Sequence, residues 1–151
     1  MEEIKNRKDI PKEHTWALED LYASDVVWKK DLEEIKKMPA KIEAYCGKLG
    51  ESADTLLSFL ELQDEISIFL DRFANYSMRK ADEDTKNTTY QGLKDQTAGI
   101  YVALSSALSF AEPEILAIDD ETLNAFYAKN PKLQVYQRCL NDIRRKKAHI
   151  L

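Results

Sequence analysis

The sequence predicts an all-α protein, a multi-helix bundle built on one long antiparallel helical hairpin. Three observations predict it. In residues 52–80, Leu62, Ile66, Phe69, Phe73 and Tyr76 step by four, three, four and three, which draws an apolar seam along one face of a helix. Residues 90–108 carry a matching seam of Tyr90, Leu93, Thr97, Ile100, Leu104 and Ala107, and only the polar residues 81–87 lie between. Two long helices joined by so short a break fold back on each other. Lastly, four glycines and four prolines are all that interrupt 151 residues, and no alternating strand pattern occurs.

The elements follow in order. Residues 1–14 are charged, hold Pro11 and read as a poorly ordered leader; residues 15–151 read as a single helical domain. Trp16-Ala17-Leu18-Glu19-Asp20-Leu21-Tyr22 is too aromatic for a linker and is expected to pack on the helices behind it. Ser24 or Asp25 caps a helix carrying Trp28, Leu32, Ile35, Met38, Ile42, Tyr45 and Leu49. Pro39 predicts a kink or brief break at Met38, and Gly47 and Gly50 end the segment. Ser52 caps the first hairpin helix, whose opening residues Leu56, Leu57, Phe59 and Leu60 are apolar nearly all round and so expected to be buried. Asn87, Thr88 or Thr89 caps the second. Gly99 inside it costs about 1 kcal/mol relative to alanine, and close helix–helix approach is the expected reason. Pro113 marks a boundary and opens a short helical piece. Asp119-Asp120 caps residues 121–128, Asn130-Pro131 breaks the chain, and a last helix uses Leu133, Tyr136, Leu140 and Ile143.

Composition narrows the function classes. A chain of this size buries about 70% of the surface that its unfolded form exposes. With 44% hydrophobic and 32% charged residues it fits a soluble globular protein. The net charge of −5 argues against an unspecific nucleic-acid or anionic-membrane partner. No run of about 18 apolar residues is present, so no membrane span is expected. The start lacks the apolar core of a secretory signal, and two cysteines make no disulfide framework, which points to the cytoplasm.

The residues themselves name no reaction, so no catalytic and no metal-ligating residue is assigned. A zinc peptidase helix needs two imidazoles one turn apart with a glutamate beside the first. The two histidines, His14 and His149, lie far apart in sequence, and neither has a glutamate three residues ahead for a di-iron bundle. They read as surface residues. Cys46, expected on a helix, has no histidine near it in sequence and reads as an inert thiol, buried or partly buried. Asp82-Glu83-Asp84 and Asp119-Asp120-Glu121 lack the spacing and the glycine of a calcium loop and read as turn and cap residues. The basic run of Arg144 to Lys147 reads as the favourable cationic end of a helix.

A resemblance goes further. Trp16-x-Leu18-x-Asp20-Leu21-Tyr22, followed six residues on by Trp28, resembles the opening of oligoendopeptidase F, a zinc metallopeptidase of the wider thimet oligopeptidase group. Phe73-Ala74-Asn75-Tyr76-Ser77, then Asp82-x-Asp84-Thr85, resembles the end of that family's long helix and its acidic turn. Leu104-Ser105-Ser106-Ala107-Leu108-Ser109-Phe110, then Glu112-Pro113-Glu114-Ile115-Leu116, resembles the next helix and its exit. Tyr136 with the basic end at Arg144 resembles the helix leading out of the N-terminal region. The resemblance covers nearly the whole chain from Trp16 onward, and the order of its motifs makes it specific.

The family's His-Glu-x-x-His helix, with its further glutamate, is absent, so the resemblance transfers no catalytic residue. It implies the N-terminal lobe of a larger enzyme whose zinc and motif glutamate activate water. Such a lobe lines a narrow channel that admits short peptides. Its partners are then a C-terminal catalytic lobe and peptides, with self-association expected for the lobe alone. Its channel-facing residues are not legible. Two other classes remain open: a stand-alone helical scaffold that binds a protein partner, and an enzyme using Cys46.

Overall fold

The computed structural model describes residues 7–146, and His149 and Lys147 therefore lie outside the described residues. Among these residues there are seven α-helices, several 3₁₀ turns and no strand, so the all-α expectation holds. The helices are α1 (Asp25–Ile35), α2 (Met38–Glu43), α3 (Ala53–Glu83), α4 (Thr88–Ala107), α5 (Ala111–Ala117), α6 (Asp120–Lys129) and α7 (Gln137–Arg145). Two compact units share them. One holds residues up to Lys36 together with Ile68–Val102; the other holds Lys37–Ser67 and residues from Ala103 onward. The chain passes between them at Lys36, within α3 and within α4.

The expected caps form. Ser24 Oγ accepts from the Val27 N–H at the start of α1, and Ser52 Oγ accepts from the Thr55 N–H at the start of α3. Asn87 Oδ1 accepts from the N–H groups of both Thr89 and Tyr90 at the start of α4. Asp119 accepts from the Thr122 N–H at the start of α6. Each satisfies donors that a helix start leaves without an intrahelical acceptor.

Boundaries near proline differ from expectation. The break between α1 and α2 falls at Lys36–Lys37, ahead of Pro39. Proline then stands in the first turn of α2, where no N–H is needed. Pro113 likewise stands in the first turn of α5, and the 3₁₀ turn Leu108–Phe110 joins α4 to α5 without a break. Gly47 ends the turn after α2 in the left-handed region, with φ of 79°.

In the first unit α3 lies between α1 and α4. Trp28 is fully buried, stacks on Phe73 at 4.4 Å between ring centres, and donates its Nε1–H to the Phe73 carbonyl at 2.9 Å. On the other side of α3 the buried hydroxyls of Ser77 and Thr97 meet at 2.7 Å, and Gln91 Nε2 donates to the Ala81 carbonyl. Contacts of 77 with 97 and 81 with 91 run in opposite senses, which is the antiparallel hairpin. A Cβ added at Gly99 meets nothing within 4 Å, so close helix–helix approach among the described residues does not explain this glycine. The helical run Thr88–Ala117 is long and apolar enough, by length and composition alone, to cross a membrane. It also buries Leu93, Thr97, Ile100, Leu104 and Ala107 at core-helix spacing, and the core helix of a soluble protein meets the same criterion.

In the second unit Ile42, Leu49, Leu56, Phe59, Leu133 and Leu140 are fully buried. Phe59 lies 5.6 Å from Tyr45 and 5.7 Å from Phe110 between ring centres. Residues 56, 57, 59 and 60 are all buried, as their all-round apolarity predicts.

Candidate functional site

The aromatic segment ahead of α1 organises a cleft of the first unit. Leu18–Asp20 forms a 3₁₀ turn that buries Leu18, and Tyr22 follows at 2% exposure. Two cations of α3, seven residues apart and so on one face, clasp the segment's two rings. The Arg72 guanidinium lies 4.4 Å from the Tyr22 ring centre and that of Arg79 lies 5.5 Å from Trp16. Tyr22 Oη donates to Asp31 Oδ2 at 2.7 Å. Burial first, and then this hydrogen bond, push the Tyr22 hydroxyl up to about 12.

The cleft holds about 510 Å³ and is walled by Arg7, Trp16, Asp25, Tyr76, Lys80 and Glu83, among others. Asp25 is its hub. Lys80 Nζ donates to Asp25 Oδ1 at 2.5 Å, and Tyr76 Oη donates to the same oxygen at 2.7 Å. Lys80 Nζ also lies 4.6 Å from the Tyr90 ring centre. Burial pushes the Asp25 carboxyl up, but the hydrogen bonds from Lys80 and Tyr76 outweigh it and hold the group below the usual carboxylate range. Burial works against the Lys80 ammonium as well, yet Asp25 and Tyr76 hold it above the ordinary lysine value. Arg7 closes one end by pairing with Glu83 at 2.6 Å. A carboxylate and an ammonium each locked in the charged form exchange no proton near neutrality. The cluster is an electrostatic clasp between α1 and α3.

The second unit has a smaller cleft of about 280 Å³ beside Gly47, Gly50, Glu114 and Ile118. Glu114 Oε1 accepts from the Gly47 N–H at 2.5 Å and Oε2 from the Leu49 N–H at 3.2 Å. One carboxylate thus ties α5 to the loop after α2. Arg144 of α7 donates to the Ile118 carbonyl and to Asp120, at the junction of α5 and α6.

His14 is exposed on the 3₁₀ turn Lys12–His14. Cys46 lies in the turn after α2, and both it and Cys139 are free and exposed, which corrects the expected burial of Cys46. Buried space there is filled instead by Ile42 and Leu49. The acidic runs serve as pairs and caps: Asp82 with Arg79 at 3.1 Å, Glu83 with Arg7, Asp84 with the Lys86 N–H at 3.2 Å, and Asp119 with Thr122. The basic end is paired too, Arg145 with Asp142 at 3.5 Å and Lys146 with Glu112 at 3.0 Å. Among the described residues no three His, Cys, Asp or Glu side chains come together as metal donors. Sequence reasoning missed Asp25–Lys80–Tyr76 and the Glu114 clamp, whose partners lie 51 or more residues apart. No local spacing marks such pairs.

Comparison with known proteins gives the context that the geometry lacks. The family model described as Oligopeptidase F matches residues 114–151. The chain is 34% identical over 149 residues to Oligopeptidase PepF of Bacillus subtilis (strain 168), covering 99% of this chain and 22% of that protein. It is also 34% identical over 148 residues to the plasmid Oligoendopeptidase F of Lactococcus lactis subsp. cremoris, covering 97% and 25%. The crystal structure of oligoendopeptidase-F from Enterococcus faecium superposes with a TM-score of 0.75 at 28% identity, over 84% of this chain and 24% of that one. A Chlamydophila abortus chain superposes with a TM-score of 0.85 at 19% identity, over 99% and 25%, a likeness of fold alone. The chain thus spans about a quarter of the length of the relatives it matches. Ordered motifs, helical fold and these matches agree: the chain is similar to the N-terminal portion of oligoendopeptidase F proteins.

Proposed function

We propose that the chain is the non-catalytic N-terminal lobe of a zinc-dependent oligoendopeptidase that cleaves short peptides in the cytoplasm. The observation that carries this reading is the match to oligopeptidases along 97–99% of the chain but only about a quarter of their length. The lobe contributes to the wall of a channel and so to selection of substrates by size. Among the described residues no three His, Cys, Asp or Glu side chains form a donor set for zinc, and in this reading the remainder of the polypeptide supplies the metal and its ligands. What this chain supplies is a stiff helical wall, held by the α1–α3 clasp in one unit and the Glu114 clamp in the other. Free, exposed Cys46 and Cys139 suit a reducing compartment.

The test compares the 151-residue chain with the longer polypeptide that carries it, each with added zinc, on a quenched fluorescent peptide and on a folded protein. The expected result is no cleavage by the chain alone. The longer polypeptide cuts the peptide, loses this activity to a chelator, and leaves the folded protein intact. Zinc-dependent cleavage by the chain itself overturns the reading, as does a longer polypeptide that is inert toward short peptides.

A further inference from the structure

From Arg7 to Trp16 the chain crosses the end of α3 without being buried there. Among its described side chains none is buried. The N–H groups of Ile10, His14 and Thr15 donate to the carbonyls of Arg7, Pro11 and Lys12, all within the same segment. Space lies on both sides of it, the cleft of about 510 Å³ and a second of about 400 Å³, and Arg7, Thr15, Trp16 and Glu83 line both. Protein interiors are close-packed, so a segment bordered by two such spaces gains little from dispersion. Firm seating begins just after it. Leu18 is 7% exposed, and Tyr22 is held to α1 through Asp31 and to α3 through Arg72. Between the loose and the firm parts lie Trp16 and Ala17, which belong to neither 3₁₀ turn.

Charge ties this segment to α3. Arg7 pairs with Glu83 at 2.6 Å, and the Arg79 guanidinium meets the Trp16 ring, whose outer face stays in water. Glu83 is the last residue of α3, between Asp82 and Asp84. A helix C-terminus carries partial negative charge, so a carboxylate there is unfavourable unless a cation meets it. For Asp82, α3 supplies that cation itself, as Arg79; for Glu83, the segment brings it, as Arg7.

We propose that residues 7–16 are a charge-latched strap that swings off the end of α3 about Trp16 and Ala17 while the helices stay folded. The Arg7–Glu83 pair is the latch, and Leu18 and Tyr22 are the fixed point. Closed, the strap forms one wall of the cleft at the Asp25–Lys80–Tyr76 clasp; open, it gives that cleft to solvent. The device belongs to this chain and does not depend on the peptidase reading.

The test is the distance between nitroxide labels, measured by electron paramagnetic resonance on the 151-residue chain carrying Cys46→Ser and Cys139→Ser. One pair joins the strap to the turn after α3, Glu13→Cys with Lys86→Cys. A control pair, Lys30→Cys with Lys86→Cys, lies outside the strap. All three positions are exposed. Expected in the first pair is a narrow distance with a smaller, longer and broader population, whose share rises by about threefold or more in Glu83→Gln. The control distance stays fixed, because removing a carboxylate from a helix C-terminus does not weaken the helix. Arg7→Gln produces the same rise, and the two substitutions together produce no more than either alone. A single narrow distance that persists in Glu83→Gln overturns the proposal, since the strap is then held by packing. A broad distribution in the parent chain that Glu83→Gln leaves unchanged also overturns it, since no closed state exists. Rises that add in the double variant overturn the Arg7–Glu83 pair as the latch. A control pair that broadens together with the first assigns the opening to the end of α3 and overturns the strap.

Discussion

Ser77 and Thr97 are fully buried side chains, and their hydroxyls meet at 2.7 Å between α3 and α4. Each also reaches a carbonyl of its own helix, Ser77 to Ala74 and Thr97 to Leu93, both at 3.1 Å. Removing one hydroxyl leaves the other with a carbonyl acceptor, so the expected cost is modest. Thr97→Val and Ser77→Ala should each lower unfolding free energy by about 1 kcal/mol, and the double variant by clearly less than the sum. Urea titration of the four proteins checks this; strictly additive losses would show that the hydroxyls are not coupled. Thr97 was legible in the sequence as one step of the α4 seam. Ser77 was not, because a serine on a helix gives no sign of whether its side turns inward. Gly47 was legible as a helix terminator, and its φ of 79° is the conformation glycine adopts without strain.

At the scale of elements, helix starts were read correctly where a short polar side chain precedes an apolar seam, as at Ser24, Ser52, Asn87 and Asp119. That chemistry is local, since the cap and the N–H it accepts lie within three residues. The joins at Pro39 and Pro113 were read less well. Proline bars a helix interior but is welcome in a first turn, and sequence alone does not say which of the two it occupies. What ties α5 to the loop after α2 is Glu114, with one oxygen on each of two backbone N–H groups. Glu114→Gln keeps the shape but loses the charge and one acceptor. It should cost about 1–2 kcal/mol, seen as a lower urea midpoint at unchanged slope. A midpoint equal to that of the parent chain would remove the clamp from the account of this unit.

At the scale of the whole molecule, the clasp of the first unit sets how stability responds to pH. Asp25 is lowered, so its contribution is present above the ordinary carboxylate value of about 3.9 and is lost as pH falls through its folded value. Lys80, Tyr76 and Tyr22 are raised, so theirs is present below ordinary values of about 10 and is lost as pH rises through the folded ones, about 12 for Tyr22. The melting temperature should therefore be flat from about pH 5 to 9 and fall on both sides. Asp25→Asn should flatten the acid limb, and circular dichroism melts across the range test it; an acid limb as steep as before would assign that loss to other carboxylates. The sequence by itself determined the all-α class, the hairpin, most caps and the family likeness. These follow from spacing within a few residues or from ordered motifs, and both are written along the chain. Only the tertiary structure decided that Asp25 meets Lys80 and Tyr76, that Glu114 holds Gly47 and Leu49, that Cys46 is exposed, and that Gly99 faces open space. The physical reason is that a helical period fixes which residues share a face. What that face meets is set by packing between segments far apart in sequence, and a local pattern carries no record of it.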